Sequence, residues 1–253
     1  LSRALPAPLL NEFFQTGQLD NIEDLITLQL AEELIHDIQS KGNILWEKSF
    51  GFAGHDHAYS VIETMDGGLF MTGFLDITAS EGEGSTVRNF RHGIGEFWCH
   101  KLDANGNVEW RNYFGGSNND RSFDVVQAND GGYVVTGFSE SSDFDISNSN
   151  GSYDFWVIKI NSEGDLIWEK SLGGSEIDQA RSIIKTVDNA YIIAGNSFSN
   201  DGDIASNLGS SDFLLIKISD NGNLIWSKNF GGSQFDFAIS INKSIDGYLV
   251  TGY

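Results

Sequence analysis

Two stretches of this chain carry oxygen ligands at a spacing that suits a hard cation. Residues 143–154 (DFDISNSNGSYD) and 201–212 (DGDIASNLGSSD) each open on Asp-x-Asp, as Asp143 with Asp145 and Asp201 with Asp203. Each places a Gly eight residues after its first acid and closes on another Asp, in a register of 58 residues. Carboxylates mixed with backbone carbonyls are what Ca²⁺ accepts, so these loops are candidate calcium sites, although the spacing is not that of an EF-hand. Surface loops built on turn-forming Asp and Asn are the plainer reading. A third candidate is His55-Asp56-His57, which resembles a metal pair until the equivalent later positions are read. There stand Asn119 and Arg121, Ile177 and Gln179, Phe235 and Phe237, so the pair reads as exposed turn residues. No Gly-x-Ser-x-Gly, phosphate-binding glycine loop or His-Glu-x-x-His occurs. The one cysteine, Cys99, excludes an internal disulfide framework and thiol-based zinc sites. A chain without catalytic motifs is expected not to be an enzyme and to need no cofactor beyond the possible calcium.

The elements that would position these residues are set by an internal repeat. Trp46, Trp110, Trp168 and Trp226 are spaced by 64, 58 and 58 residues, and ten residues after each comes Asp56, Asp120, Asp178 or Asp236. Between Trp and Asp lies a Gly-Gly-Ser corner at 115–117, 173–175 and 231–233; the first copy has drifted to 51–54. Turn signals at Asp66, Asp130, Asp188 and Asp246 precede short apolar runs that close on Gly73, Gly137, Gly195 and Gly252. Within one unit, residues 122–127, 133–138, 154–160 and 165–171 read as short strands, joined by turns such as Asn105-Gly106 and Asn221-Gly222. Four antiparallel strands per 58 residues predict an all-β fold, a β-propeller of four-stranded blades. The repeated Trp is expected to pack between blades, and the repeated Asp to fix a turn by accepting backbone N–H groups. A ring of these acids around one mouth of a channel is the sharper alternative.

The repeat is predicted over 33–253, in units near 46–109, 110–167, 168–225 and 226–253. Residues 1–32 fall outside it, as an extended arm followed by a helix over about 21–32, either packed on the propeller or docking a partner. Residues 33–39 align with a third strand. The chain would then open on two strands of one blade and end on two strands of another, as a small closed ring or a stretch of a larger one. Composition narrows the rest. Thirty-six acidic residues against 15 basic ones give a formal net charge of −21, which opposes a nucleic-acid partner. No apolar run approaches the length of a membrane-spanning helix.

The segments 101–110 (KLDANGNVEW), 159–168 (KINSEGDLIW) and 217–226 (KISDNGNLIW) resemble the strand–turn–strand–Trp motif of quinoprotein-like propellers. The longer unit, with Gly-Gly-Ser-x-x-Asp, Asp-Gly-Gly-Tyr-x-Val-x-Gly and Asp-Phe-Trp-Val-x-Lys, is similar to repeats in secreted and surface proteins of Bacteroidota. That resemblance implies an extracellular or cell-surface protein of a Gram-negative bacterium. It further implies a non-catalytic binding or scaffold module with protein partners, in an outer-membrane or surface complex. The alternative it leaves open is a carbohydrate-active or quinoprotein-like enzyme acting at the channel mouth.

Overall fold

The computed structural model describes residues 46–51, 56–75 and 95–253. The predicted N-terminal arm, helix and strand over 1–39, and His55, lie outside the described residues. The chain divides into two units, Leu1–Lys48 and Ser49–Tyr253. In the first, the Lys48 ammonium lies 6.0 Å from the ring centre of Trp46, a residue 40% exposed.

The second unit is all-β among the described residues: fourteen strands in four antiparallel sheets, without a helix. The first sheet contains β1 (His57–Glu63), β2 (Leu69–Leu75), β3 (Glu96–Leu102) and β4 (Val108–Phe114). The second contains β5 (Asp120–Gln127), β6 (Tyr133–Ser139), β7 (Asp154–Ile160) and β8 (Leu166–Leu172). The third contains β9 (Asp178–Lys185), β10 (Tyr191–Ser197), β11 (Asp212–Ile218) and β12 (Leu224–Phe230); β13 (Ala238–Ser244) and β14 (Gly247–Gly252) pair alone. Each strand pairs with the next in sequence, because every connection within a sheet is a hairpin or a single loop. The bounds agree with the sequence reading to within about two residues.

Successive sheets stack, and both faces of the middle ones are buried. Phe70, Phe97, Cys99 and Phe114 of the first sheet meet Tyr133, Val135, Trp156 and Ile158 of the second. Val134, Phe155 and Val157 on the opposite face of the second meet Tyr191, Ile193 and Ile216 of the third. Hence β6, β7 and β10 are buried along their whole length and carry apolar residues on both faces, without the alternation of a one-sided sheet. The repeated Trp ties one sheet to the next. Trp110 Nε1 donates to the Ser162 carbonyl (2.8 Å) and Trp168 Nε1 to the Asp220 carbonyl (3.1 Å), both in the far hairpin of the following sheet. Gly164 and Gly222 sit beneath those rings with positive φ, where a Cβ would meet the indole at about 3 Å. Lys159 adds an ionic tie, its ammonium 2.7 Å from Asp130 in its own sheet and 2.9 Å from Asp220 in the next.

The repeated Asp caps the Gly-Gly corner between sheets, as the spacing predicts. Asp120, Asp178 and Asp236 each accept the N–H of the second corner glycine, at 2.7 Å in all three copies. In the first copy Asp56 Oδ2 stands 3.0 Å from the point that a Cβ on Gly51 would occupy.

Candidate functional site

Every first strand contains a β-bulge at the same place. The pairing of β1 with β2 slips between Ala58 and Ser60, leaving Tyr59 unpaired. The same slip leaves out Phe123 in β5, Arg181 in β9 and Ile239 in β13. The bulge explains the glycine that closes each apolar run. A Cβ on Gly73, Gly137, Gly195 or Gly252 would collide with the carbonyl oxygen of His57, Arg121, Gln179 or Phe237, so no side chain fits opposite the bulge.

Around the bulge the repeat is kept, and at the bulge it is broken. The residue before it is Ala58, Ser122, Ala180 or Ala238, and the residue after it Ser60, Asp124, Ser182 or Ser240. The bulged residue itself runs Tyr, Phe, Arg, Ile, and the residue two before it His57, Arg121, Gln179, Phe237. Structural demands shared by all four sheets would give the same residue each time. These two columns answer to something else, and of the two only the bulged residue is taken out of the ladder.

Their side chains meet across sheets. Tyr59 and Phe123 pack at 4.8 Å between ring centres, and the Arg181 guanidinium lies 4.3 Å over Phe123. The Arg121 guanidinium lies 4.6 Å over Phe74, whose other neighbour is His57, stacked at 4.8 Å. Beneath them Asp124 joins three first strands. Its Oδ1 accepts from Ser60 Oγ and the Val125 N–H, and its Oδ2 from Ser182 Oγ and the Ile183 N–H, all at 2.9 Å. With four donors on it, that carboxylate is committed to holding the strands together. Arg181 gives one hydrogen bond, to Gln179 Oε1 at 3.1 Å. Neither Arg121 nor Arg181 pairs with a carboxylate among the described residues, and the buried Arg121 Nε has no acceptor. Burial pushes the Arg181 pKa down; the phenolic oxygens of Tyr59 and Tyr253 oppose this and the Arg121 charge adds to it. The two cations are therefore near enough to repel.

The residues singled out by spacing have other duties. Asp143 Oδ1 accepts the Ser117 N–H at 2.8 Å and Asp145 Oδ2 the Gly115 N–H at 3.2 Å. Asp201 and Asp203 repeat this on Ser175 and Gly173, at 2.7 and 3.3 Å. Each Asp-x-Asp thus clasps the neighbouring Gly-Gly corner, and the Ile after it, Ile146 or Ile204, is driven into the core. The two pairs sit in separate loops, and among the described residues no three His, Cys, Asp or Glu side chains gather for a metal ion. His57 carries its ring onto Phe74 and Tyr59 rather than toward a ligand set. Trp110, Trp168 and Trp226 pack against the apolar cores between sheets.

Two further features compete for attention. Buried acids flank each corner glycine: a Cβ on Gly173 would lie 2.5 Å from Asp178 Oδ2 and 2.8 Å from Asp154 Oδ1. Burial pushes the Asp120 pKa up to about 6 and raises those of Asp154 and Asp178; Ser hydroxyls and backbone amides reverse this only in part. Since the arrangement recurs in successive sheets, it belongs to the frame. A cavity of about 220 Å³ on the first sheet is lined by His57, Trp98 and His100. Burial pushes His100 down to about 3, so it is neutral, and both its ring nitrogens lack partners. The equivalents of His100 are Ile158 and Ile216, core residues between sheets, so this cavity lies on a packing face.

Sequence reasoning passed over Tyr59, Phe123, Arg121 and Arg181. Their signal was present as departure from the repeat at two columns on either side of the residue before the bulge, but without the bulge nothing distinguished it from drift.

No protein-family model matches the chain, and no curated protein does. Among solved structures, a protein of unknown function from Bacteroides caccae is 12% identical, with a TM-score of 0.45; the match covers 83% of this chain and 58% of that one. Sqt1 from Chaetomium thermophilum is also 12% identical, at a TM-score of 0.38, over 81% of this chain and 43% of its own. The chain thus spans about half the length of the structures it matches.

Proposed function

We propose that this chain is a non-catalytic binding module of β-propeller type, carried by an exported or cell-surface protein and engaging its partner through the bulged residues of its first strands. The reading treats each four-stranded sheet as a blade and the first strands as the innermost. It is supported by the chain-order stacking of the sheets and by the contacts that run from β1 to β5, from β5 to β9 and from β9 to β13. The observation that carries the functional part is the copy-to-copy variation at Tyr59, Phe123, Arg181 and Ile239 on an otherwise repeated frame. A scaffold that only had to stand would repeat there too. A binding surface needs different chemistry at each point around the ligand.

The decisive comparison sets binding against turnover. The purified chain, offered glycans and alcohols with an electron acceptor, is expected to release no product. The tagged chain, cross-linked on its native cell surface, is expected to capture a partner in stoichiometric amount. That capture should be lost when Tyr59, Phe123 and Ile239 are replaced together by Ser, with the melting midpoint retained. Turnover that survives active-site-free controls overturns the reading in favour of a propeller enzyme.

A further inference from the structure

Among the described residues, the two guanidiniums at the bulge have no carboxylate partner. A guanidinium carries five N–H donors in a planar fork. Of the ten on Arg121 and Arg181, one is used, on Gln179. In a chain of formal net charge −21, chance pairing would favour capture of both arginines by carboxylates. Asp124, on the same first strand as Arg121, is filled by four other donors. Each guanidinium lies over an aromatic ring, Phe74 at 4.6 Å or Phe123 at 4.3 Å, a contact that spends none of its N–H donors. Beside them Tyr59 is 46% exposed, with its neighbour Phe123 half-buried.

We infer that Arg121 and Arg181 form an anion-binding fork, which takes the carboxylate of a ring-bearing ligand whose ring lies against Tyr59. The inference rests on the binding-module reading and names its ligand class. The planar forks fit a carboxylate in two-point fashion, and the exposed tyrosine face fits an aromatic ring or the C–H face of a sugar. An aromatic carboxylate and a uronic acid offer this same chemistry. A polyanion does not fit, because a long run of negative charge would meet the −21 field on every side of two cations.

Calorimetric titration of the full chain tests this with benzoate and glucuronate against their neutral counterparts, benzamide and glucose, and against inorganic phosphate. One carboxylate is expected to bind about tenfold or more tightly than its neutral counterpart, as a charge-assisted pair implies. Which of the two does so names the source. Arg121→Gln and Arg181→Gln should each weaken that carboxylate about tenfold. Arg181→Lys, which keeps the charge and loses the fork, should fall between, with the melting midpoint of each variant confirming the fold. Equal affinity for acid and neutral forms, unchanged affinity in the arginine variants, or no binding of either carboxylate overturns the inference. Phosphate bound as tightly as the better carboxylate overturns it as well, since the ring would then contribute nothing. None of these failures produces turnover, so the binding-module reading is lost only through the separate assay above.

Discussion

At the residue scale, the identities that matter most are those that differ between copies while their neighbours do not. The same logic exposes a local cost in the Asp-x-Asp loops. The middle residue of that motif is in the left-handed region in both copies, at φ 63° for Gly202 and φ 53° for Phe144. Glycine takes that conformation freely, whereas a bulky side chain is held there against its preference, by about 1 kcal/mol. Phe144 is 62% exposed, so burial does little to offset this. Phe144→Gly is expected to raise the unfolding free energy by roughly 1 kcal/mol, read from urea denaturation. A fall in stability would mean that the phenyl ring makes a contact worth more than the strain.

At the element scale, the sheets are joined by a few polar ties laid over apolar faces. Trp168 belongs to one sheet and gives its N–H to the hairpin of the next. Trp226 occupies the same place in the third sheet and packs against the fourth, with no hydrogen bond from its N–H among the described residues. Replacing Trp168 by Phe removes one buried hydrogen bond and part of a ring, and should cost roughly 1–2 kcal/mol in chemical denaturation. Trp226→Phe should cost less. Equal losses would show that area alone, and not the bond across sheets, sets the value of this residue. The element bounds were legible in the sequence because Asn-Gly and Asp-Gly turns and β-branched runs are local signals. The bulges were not, since a bulge is a relation between two strands and leaves only a glycine on one of them.

At the scale of the whole molecule, the repeat multiplies a single electrostatic strain. Asp120, Asp154 and Asp178 all have pKa values raised mainly by burial, so between about pH 4 and 6 the folded chain holds more protons than the unfolded one. Stability from these groups is full below the unfolded value and is lost as pH rises through the folded one. Asp66, Asp130, Asp188 and Asp201 are shifted downward and act in the opposite sense, but below about pH 4. Buried His100, held neutral with its pKa near 3, opposes the corner acids between about pH 3 and 6.5, so the sign is read from a difference. Relative to Asp120→Asn, the melting midpoint of the unaltered chain should fall between about pH 4 and 6, by the equivalent of roughly 3 kcal/mol. A difference that stays level or rises over this range would mean that Asp120 is ionised in the folded chain without penalty.

Read alone, the sequence determined the all-β class, the bounds of the strands it named, the turn-fixing place of the repeated Asp and the packing place of the repeated Trp on the fourth strand. Each of these depends on near neighbours in the chain or on a spacing copied several times, and a period carries such information without any coordinates. It also pointed to the Asp-x-Asp loops through their oxygen atoms, as candidate calcium sites. Only the structure shows those oxygens held by backbone amides of the Gly-Gly corner, some 26 to 30 residues away in sequence. Tertiary structure alone decided which departures from the repeat matter. It brings Tyr59, Phe123 and Arg181 into contact across three sheets, where residues 58 and 64 positions apart share one surface. It also leaves Arg121 and Arg181 without a carboxylate among the described residues, while Asp124 is spent on tying the first strands together.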